Sequence, residues 1–168
     1  MKNTTFKYYY SWQLALGLLL LLNLTSLAYA DILTGQIVGV TDGDTVTLLD
    51  DNRSQYKIRL AAIDAPEKLQ PFGNRSKQQL SNLCFSKQAS IEVRSKDRYG
   101  RLVGIVTCDD KNANEAMITS GFAWVYRKYA KGFGHYYALE REAQAAKVGL
   151  WIDTNPIAPW EWRKAKRK

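Results

Sequence analysis

Carboxylates gather at two places in this basic chain, and each place follows a stretch with the pattern of a β-strand. Residues 41–46 (TDGDTV) contain Asp44, and residues 59–67 (RLAAIDAPE) contain Asp64 and Glu67 on either side of an Ala-Pro pair. Hard cations such as Ca²⁺ prefer carboxylate oxygens, supplemented by main-chain carbonyls and water. Asp44 and Asp64 could ligate one such cation if the two strand ends are adjacent. The alternative is that Asp44 is simply a turn residue.

Glu67 directly follows a proline. Pro66 fixes the direction of the chain and therefore restricts where the Glu67 carboxylate points. A carboxylate that lies near a metal ion but is not bound to it can accept a proton from water, which is the role of a general base. An exposed loop glutamate is the alternative interpretation.

Fixed positive charge accompanies these acids. Arg59 interrupts an otherwise apolar strand, and Arg101 follows a Tyr-Gly pair, with Arg98 nearby, in the stretch 97–101 (DRYGR). Guanidinium groups suit phosphate because their planar forks donate paired hydrogen bonds and keep their charge. An exposed strand edge or a salt bridge would also explain Arg59. Taken together, the acids and the arginines predict a cation-dependent phosphodiesterase.

A small β-rich fold must position these residues. Alternating apolar residues with turn residues predict five strands, and helical spacing with glycine stops predicts three helices. A three-stranded meander, a helix and a hairpin in this order match a closed five-stranded barrel of the oligonucleotide-binding (OB-fold) type, mainly β with about three helices. The predicted strands are 32–40, 46–49, 56–62, 89–93 and 102–106, and the predicted helices are 74–83, 114–119 and 135–147.

Two local geometries follow from this arrangement. Asp42-Gly43 separates the first two strands and predicts a hairpin turn, because this pair tolerates a positive φ. A fully extended third strand would place Arg59 and Asp64 about 16 Å apart at ~3.3 Å per residue, too far to serve one phosphate and its metal. The strand must therefore curl or bulge, and we expect this at the small pair Ala61-Ala62.

The N-terminal residues have the order of a secretory signal peptide. Lys2 and Lys7 precede the apolar run 14–22, and a small-x-small sequence ends at Ala30. An uncleaved membrane anchor is the alternative, but the apolar run is about half of the ~20 residues that span a bilayer. We therefore expect residues 1–30 to be removed and the protein to be exported, to the periplasm or the medium.

The remaining chain divides into one domain, residues 31–155, and a basic tail, residues 156–168, that contains proline and tryptophan. The formal net charge of the whole chain is +8, and it falls to +6 when the two lysines of the first thirty residues are removed with no acid. The working domain is therefore basic, which favours a polyanionic partner such as nucleic acid. The last residues of the tail, 163–168, are most simply solvated and add nonspecific attraction to phosphate.

The few soft ligands of the chain restrict its metal and redox chemistry. One histidine, His135, and two cysteines do not make a zinc site. In an oxidising compartment Cys84 and Cys108 can form a single disulfide. Two buried free thiols are the alternative, because sequence alone does not give the distance between the two Cα atoms.

Five stretches of the sequence resemble the staphylococcal nuclease (thermonuclease) family, in the family's order. The likeness extends over nearly all of the chain after residue 30, and the five stretches lie at 40–46, 59–67, 97–101, 114–121 and 142–145. Each motif alone is weakly specific, whereas five in register are strongly specific. The resemblance implies Ca²⁺-dependent hydrolysis of DNA and RNA, without preference for the sugar. It also implies that the bond to the 5′ oxygen breaks and that 3′-phosphates remain.

The resemblance assigns roles to residues that match the family's motifs. Asp44 and Asp64 would ligate the catalytic Ca²⁺ through their side chains, and Ala65 would add its main-chain carbonyl. Glu67 would be the general base.

The same resemblance implies four residues that contact the substrate. Arg59 and Arg101 would bind the phosphate and stabilise the charge that develops in the transition state. Tyr99 would meet the terminal phosphate of the nucleotide, with Arg98 beside it.

A further tyrosine of the nucleotide pocket would be either Tyr126 or Tyr129. The sequence departs from the family's founding enzyme at three points. Ala65 replaces a threonine, although a carbonyl ligand does not depend on the side chain. The loop 68–72 is shorter than the long flexible loop of that enzyme, and the two cysteines are absent from it.

A non-catalytic module is the alternative function. Such a module would bind single-stranded nucleic acid through cations and stacked aromatic residues such as Tyr99 and Tyr126. It would be expected to lack one or more of the charged site residues, and this sequence has all five. DNA and RNA are the expected partners of a monomer. No obligate protein partner is indicated, and contact with a membrane is expected only if the N-terminal segment stays uncut.

Overall fold

The computed structural model describes residues 31–167. The predicted signal peptide, residues 1–30, lies outside the described residues, so its cleavage stays a prediction. Between residues 31 and 167, no helix is both long and apolar enough to cross a membrane.

Five of the eight strands in the described part of the chain form a closed barrel. The strands are β1 (Ile32–Asp42), β2 (Thr45–Leu49), β3 (Gln55–Leu60), β4 (Ile63–Asp64), β5 (Gln88–Lys96), β6 (Leu102–Cys108), β7 (Lys111–Asn112) and β8 (Trp124–Val125). Antiparallel pairing gives the order β3-β2-β1-β5-β6, and β3 also pairs with β6 in parallel. This last pairing closes the ring and confirms the predicted five-stranded barrel.

The core of the barrel follows from the alternation of side chains along the strands. Val46 and Leu48 of β2 and Ile58 and Leu60 of β3 are buried inside, while the residues between them face outward or are partly exposed. Because one face of each strand is apolar, the register of the β2–β3 pair is strongly specified. The barrel is therefore a rigid frame for the residues at its strand ends.

Four α-helices surround this barrel in the described residues. They are α1 (Gly73–Cys84), α2 (Ala113–Thr119), α3 (Tyr136–Ala145) and α4 (Pro159–Ala165), with short 3₁₀ turns at Arg127–Tyr129 and Gly149–Ile152. α1 packs on β1, and α2 packs against α1, α3 and β6. The first three helices lie where the sequence predicted helices.

The fourth helix corrects the expectation for the C-terminal tail. We expected residues 163–168 to be solvated, but the first three of them belong to α4, residues 159–165, whose start is buried at Ala158 and Pro159. Pro159 suits the first turn of a helix because its missing N–H would have no partner there. The tail docks because Trp160 packs against Trp124 of β8 and against Tyr126 just after it.

The third strand curls where the sequence predicted it. β3 ends at Leu60, and Ala62 takes a left-handed conformation with φ of 62° before β4 begins at Ile63. Asn114 of α2 fixes this turn, because its buried side chain donates a hydrogen bond to the carbonyl of Ala61 at 3.0 Å. The curl turns the chain back, so that Asp64 comes close to Arg59.

The turn between β1 and β2 has a different cause from the one that we expected. A hairpin forms at Asp42-Gly43, but Gly43 does not have a positive φ. A side chain at this position would instead collide with Ser76 of α1 and with Ala65, since an added Cβ would lie 1.8 Å from Ser76 Oγ. Glycine is required because the turn packs tightly against the helix and the loop after β4.

A disulfide joins Cys84, at the end of α1, to Cys108, at the end of β6. The two Cα atoms are 5.3 Å apart, within the range that a disulfide spans, and both side chains are fully buried. The alternative of two free thiols is therefore excluded by the structure. The bond ties the helix to the barrel on which it packs.

Candidate active site

Two buried carboxylates accept hydrogen bonds from one arginine near the end of β3. Arg59 Nη1 donates to Asp44 Oδ1 at 2.7 Å, and Arg59 Nη2 donates to Asp64 Oδ1 at 2.8 Å. The Asp44 and Asp64 side chains are only 4% and 1% exposed. The β1–β2 turn, which carries Asp44, and β4, which carries Asp64, are therefore adjacent, as cation binding by both carboxylates requires.

Further hydrogen bonds fix the Asp44 carboxylate. Its Oδ2 accepts the main-chain N–H of Ala65 at 3.0 Å, and its Oδ1 accepts the hydroxyl of Thr45 at 2.9 Å. Asp42, not Asp44, serves the turn, because its Oδ1 accepts the N–H of Asp44 at 3.1 Å. The position of Asp44 is thus set by contacts from both the hairpin and the loop after β4.

Burial and neighbouring charges shift the pKa values of the acids and of Arg59 at this site. Burial raises the pKa of Asp64, and the hydrogen bond from Arg163 offsets only part of that effect. Burial, followed by the charge of Asp44, raises the pKa of Asp42 to about 6. Burial alone would lower the pKa of Arg59, but Asp44 and Asp64 outweigh it, so the pKa of Arg59 is raised. The arginine therefore stays charged and stabilises the buried acids.

The Glu67 carboxylate lies beside this pair. Pro66 is buried, and the N–H of Glu67 donates to Gln70 Oε1 at 3.1 Å, so the main chain is held on both sides. The side chain of Glu67 is 42% exposed and accepts a hydrogen bond from Arg163 Nη1 at 2.7 Å. Arg163 also donates to both oxygens of Asp64, at 3.2 and 2.7 Å.

Arg163 is a site residue that the sequence interpretation missed. It lies on α4, in the segment that we had expected to be solvated. The sequence did contain a signal, because Trp160 and Arg163 stand three residues apart after Pro159, and residues at that spacing share one face of a helix. An apolar face with a cation on it indicates a docked helix rather than a free tail.

The β5–β6 hairpin carries the second predicted phosphate ligand. Arg101 Nε donates to Asp97 Oδ2 at 2.8 Å, and Asp97 Oδ1 accepts the main-chain N–H groups of Tyr99 and Arg101. Burial would raise the pKa of Asp97, but the hydrogen bond from the Arg101 side chain and the main-chain donors together lower it. Arg98 lies over the ring of Tyr99 at 4.9 Å, and Tyr99 is 71% exposed.

One cleft of about 1090 Å³ collects the predicted residues. Asp64 does not line the cleft, because it is buried behind Arg59 and Arg163. Both of these arginines line the cleft. The predicted site residues that line the cleft are Asp44, Arg59, Ala65, Glu67, Arg98, Tyr99, Arg101 and Tyr126. Tyr129 lines it as well and is more exposed than Tyr126, whose ring is stacked on Trp160.

The oxygen donors at this site fit a hard cation. Among the described residues, no group of three or more His, Cys, Asp or Glu side chains could hold a metal ion. A cation would therefore depend on the carboxylates of Asp44 and Asp64, the carbonyl of Ala65 and water, which are the donor types that Ca²⁺ takes. It would have to share these carboxylates with Arg59 and Arg163, which donate hydrogen bonds to them. The donor set does not suit zinc, which takes clustered thiolate or imidazole ligands.

Comparison with known proteins identifies the family. The model of the family described as "Staphylococcal nuclease homologue" matches residues 57–153, more than half of the chain. The chain belongs to this family. An uncharacterized endonuclease of Haemophilus influenzae is 39% identical over 151 residues, covering 90% of this chain and 84% of its own. A micrococcal nuclease of Shigella flexneri is 39% identical over 150 residues, covering 83% of this chain and 85% of its own.

Membership of the staphylococcal nuclease homologue family makes the protein a nuclease, an enzyme that hydrolyses the phosphodiester bonds of nucleic acid. The family extends to plants, since staphylococcal-like nuclease CAN1 of Arabidopsis thaliana is 41% identical over 113 residues, covering 67% of this chain and 35% of its own. The residues matched by the family model begin after Asp44 and end before Arg163. α4 and its Arg163 therefore lie outside the residues that the family model matches.

Proposed function

We propose that this nuclease is Ca²⁺-dependent and cleaves both DNA and RNA, with Glu67 as its general base. The observation that carries the proposal is the convergence of Glu67, Arg59 and Arg101 on one cleft, beside two buried carboxylates. Contacts made to phosphates carry no base information, which supports cleavage without sequence preference.

Each residue has a distinct task in the proposed reaction. When bound at Asp44, Asp64 and the carbonyl of Ala65, Ca²⁺ supplies Lewis-acid stabilisation of the phosphate. Glu67 accepts the proton of the water that attacks phosphorus. Arg59 and Arg101 donate paired hydrogen bonds to the non-bridging oxygens, on which negative charge increases in the transition state. The bond from phosphorus to the 5′ oxygen breaks, the 5′ oxygen takes up a proton from solvent water to become a hydroxyl, and the 3′-phosphate remains on the other product.

The rim of the cleft supports the proposed substrate contacts. Arg98 and Tyr99 project from the β5–β6 hairpin, and Tyr126 lies across the cleft on the chain after β8. A guanidinium and an exposed ring offer charge to a terminal phosphate and a flat surface to a base. We assign these three residues to substrate binding.

Plasmid DNA and RNA test the metal dependence directly. The protein from residue 31 onward should degrade both nucleic acids with Ca²⁺ and should leave both intact with a calcium chelator. Binding without cleavage at saturating Ca²⁺ would favour the non-catalytic single-stranded-nucleic-acid module and contradict the proposal. Light scattering on the same sample should give the mass of a monomer.

We also infer that the protein is exported. The Cys84–Cys108 disulfide supports this, because structural disulfides persist mainly in oxidising compartments. The protein isolated from the periplasm or the medium should begin at Asp31, as measured by N-terminal sequencing. A chain that keeps its first thirty residues and stays in the cytoplasmic fraction would contradict the inference.

A further inference from the structure

The C-terminal helix docks beside the proposed catalytic residues. Trp160 of α4 stacks on Tyr126, with parallel rings whose centroids are 5.4 Å apart. It also makes an edge-to-face contact with Trp124, with a centroid distance of 5.8 Å. Gln70 donates a hydrogen bond to the carbonyl of Ile157 at 2.6 Å, which holds the chain just before the helix. The position of α4 is thus fixed by aromatic packing and by a hydrogen bond from the loop that follows Glu67.

The surface that receives α4 also carries Asp64. β4 pairs with β8, and in this register Asp64 lies opposite Trp124. Trp124 receives Trp160, and Arg163 follows Trp160 by three residues on the same face of the helix. Docking of Trp160 therefore brings the guanidinium of Arg163 to the Asp64 carboxylate.

Arg163 connects a rigid carboxylate to a less restrained one. Its two terminal nitrogens bind both oxygens of Asp64, which is 1% exposed and also held by Arg59. Its Nη1 binds Glu67 Oε1 at 2.7 Å. Within residues 31–167, the Glu67 carboxylate accepts no other hydrogen bond, and its side chain is 42% exposed. In this described part of the chain, Arg163 alone links the Glu67 carboxylate to Asp64.

We propose that Arg163 is a positioning residue of the active site, which holds the Glu67 carboxylate in the orientation that its reaction requires. This inference rests on the proposed role of Glu67 as general base. A long side chain on a loop must be held by neighbours to act with precision. A displacement of about 1 Å at a reacting group can lower the rate by about 100-fold.

Two substitutions at Arg163 test the inference. Arg163→Met keeps the length of the side chain and removes its hydrogen bonds, and we expect kcat for DNA hydrolysis to fall about 10- to 100-fold with KM nearly unchanged. Arg163→Lys keeps the charge but loses the planar fork, so it should recover part of kcat. Lys164→Ala is the matched control, because this neighbour on α4 is 74% exposed, does not line the cleft and should leave kcat unchanged.

Binding and stability measurements accompany the kinetics. Affinity for a single-stranded oligonucleotide, measured by fluorescence anisotropy with a calcium chelator, should change less than threefold in Arg163→Met. Circular dichroism should show that each variant is folded at the assay temperature. If Arg163→Met is unfolded, the kcat of Arg163→Lys decides. A kcat below that of the wild type supports the inference, and a kcat equal to it overturns the inference.

A double substitution shows whether Arg163 acts through Glu67. In a Glu67→Gln background the further change Arg163→Met should lower kcat less than threefold, because residues that act as a unit are not additive. The inference is overturned by equal losses in both backgrounds, by a rise in kcat, or by a rise in KM alone. An unchanged kcat in Arg163→Met also overturns it, whereas a fully active Glu67→Gln enzyme overturns the proposed function instead.

Discussion

Arg59 and Arg101 are held in different electrostatic settings. Arg59 donates to two carboxylates that are almost completely buried, and its own side chain is 17% exposed. Among the described residues Arg101 pairs with Asp97 alone, and both are partly exposed. Removal of one partner from a buried group leaves an unpaired charge and destabilises the fold. Substitution of Arg101 is therefore the cleaner measure of phosphate binding, since a change at Arg59 disturbs stability and chemistry together.

Glu67 gives the sharpest prediction for a single residue. Glu67→Gln keeps the size of the side chain but removes the proton acceptor, so kcat should fall by about 10²- to 10⁴-fold. Steady-state kinetics on DNA, with a melting curve for each protein, measures this. Glu142→Gln is a suitable control, because Glu142 is an exposed residue of α3 away from the cleft. If the Glu67→Gln enzyme turns over at the wild-type rate, another residue accepts the proton.

The turn between β3 and β4 is the element on which the site depends. It brings Arg59 Nη2 to 2.8 Å from Asp64 Oδ1, although the two residues are five positions apart along the chain. The turn requires a left-handed conformation at Ala62, which is 5% exposed. A residue other than glycine in this conformation raises the energy by about 1–2 kcal/mol, so the surrounding contacts must stabilise it.

Substitutions at Ala62 test this requirement. Ala62→Gly should change the free energy of unfolding by less than about 1 kcal/mol, because relief of strain is offset by the greater freedom of glycine in the unfolded chain. Ala62→Val should lower it by about 2 kcal/mol or more, because a branched side chain is strained at positive φ and too large for the buried site. Urea denaturation measures both. A valine variant as stable as the glycine variant would show that the turn tolerates other conformations.

At the scale of the whole molecule, the disulfide links the first helix to the end of the barrel. It joins residues separated by 24 positions. Replacement of both cysteines by alanine should lower the free energy of unfolding by about 2–4 kcal/mol, since the unfolded chain then gains freedom. Because the bond lies away from the cleft, the folded variant should keep its activity. A reducing agent should destabilise the wild type but not the variant, and equal sensitivity of the two would contradict this prediction.

Local patterns in the sequence predicted the strands of the barrel, and four charged residues that those patterns singled out, Asp44, Arg59, Glu67 and Arg101, line one cleft. The curl at Ala61-Ala62 followed from a distance that an extended strand could not satisfy. Contacts between distant segments could not be predicted in this way. Arg163 bonds to Asp64 across 99 positions, and no local spacing encodes that pairing. The need for glycine at position 43 likewise depends on Ser76 of α1, which packs on the turn only in the folded protein.

Arg163 is synthesised long after the acids that it contacts. The acids of the site leave the ribosome early, whereas Arg163 follows Glu67 by 96 residues. At about 5–20 residues per second, a growing chain carries Glu67 for about 5–20 s before its arginine partner is made. Any chain that stops before α4 lacks the Arg163–Glu67 contact, however well its barrel folds. The synthesis of α4 thus marks the moment at which the arginine partner of Glu67 is present.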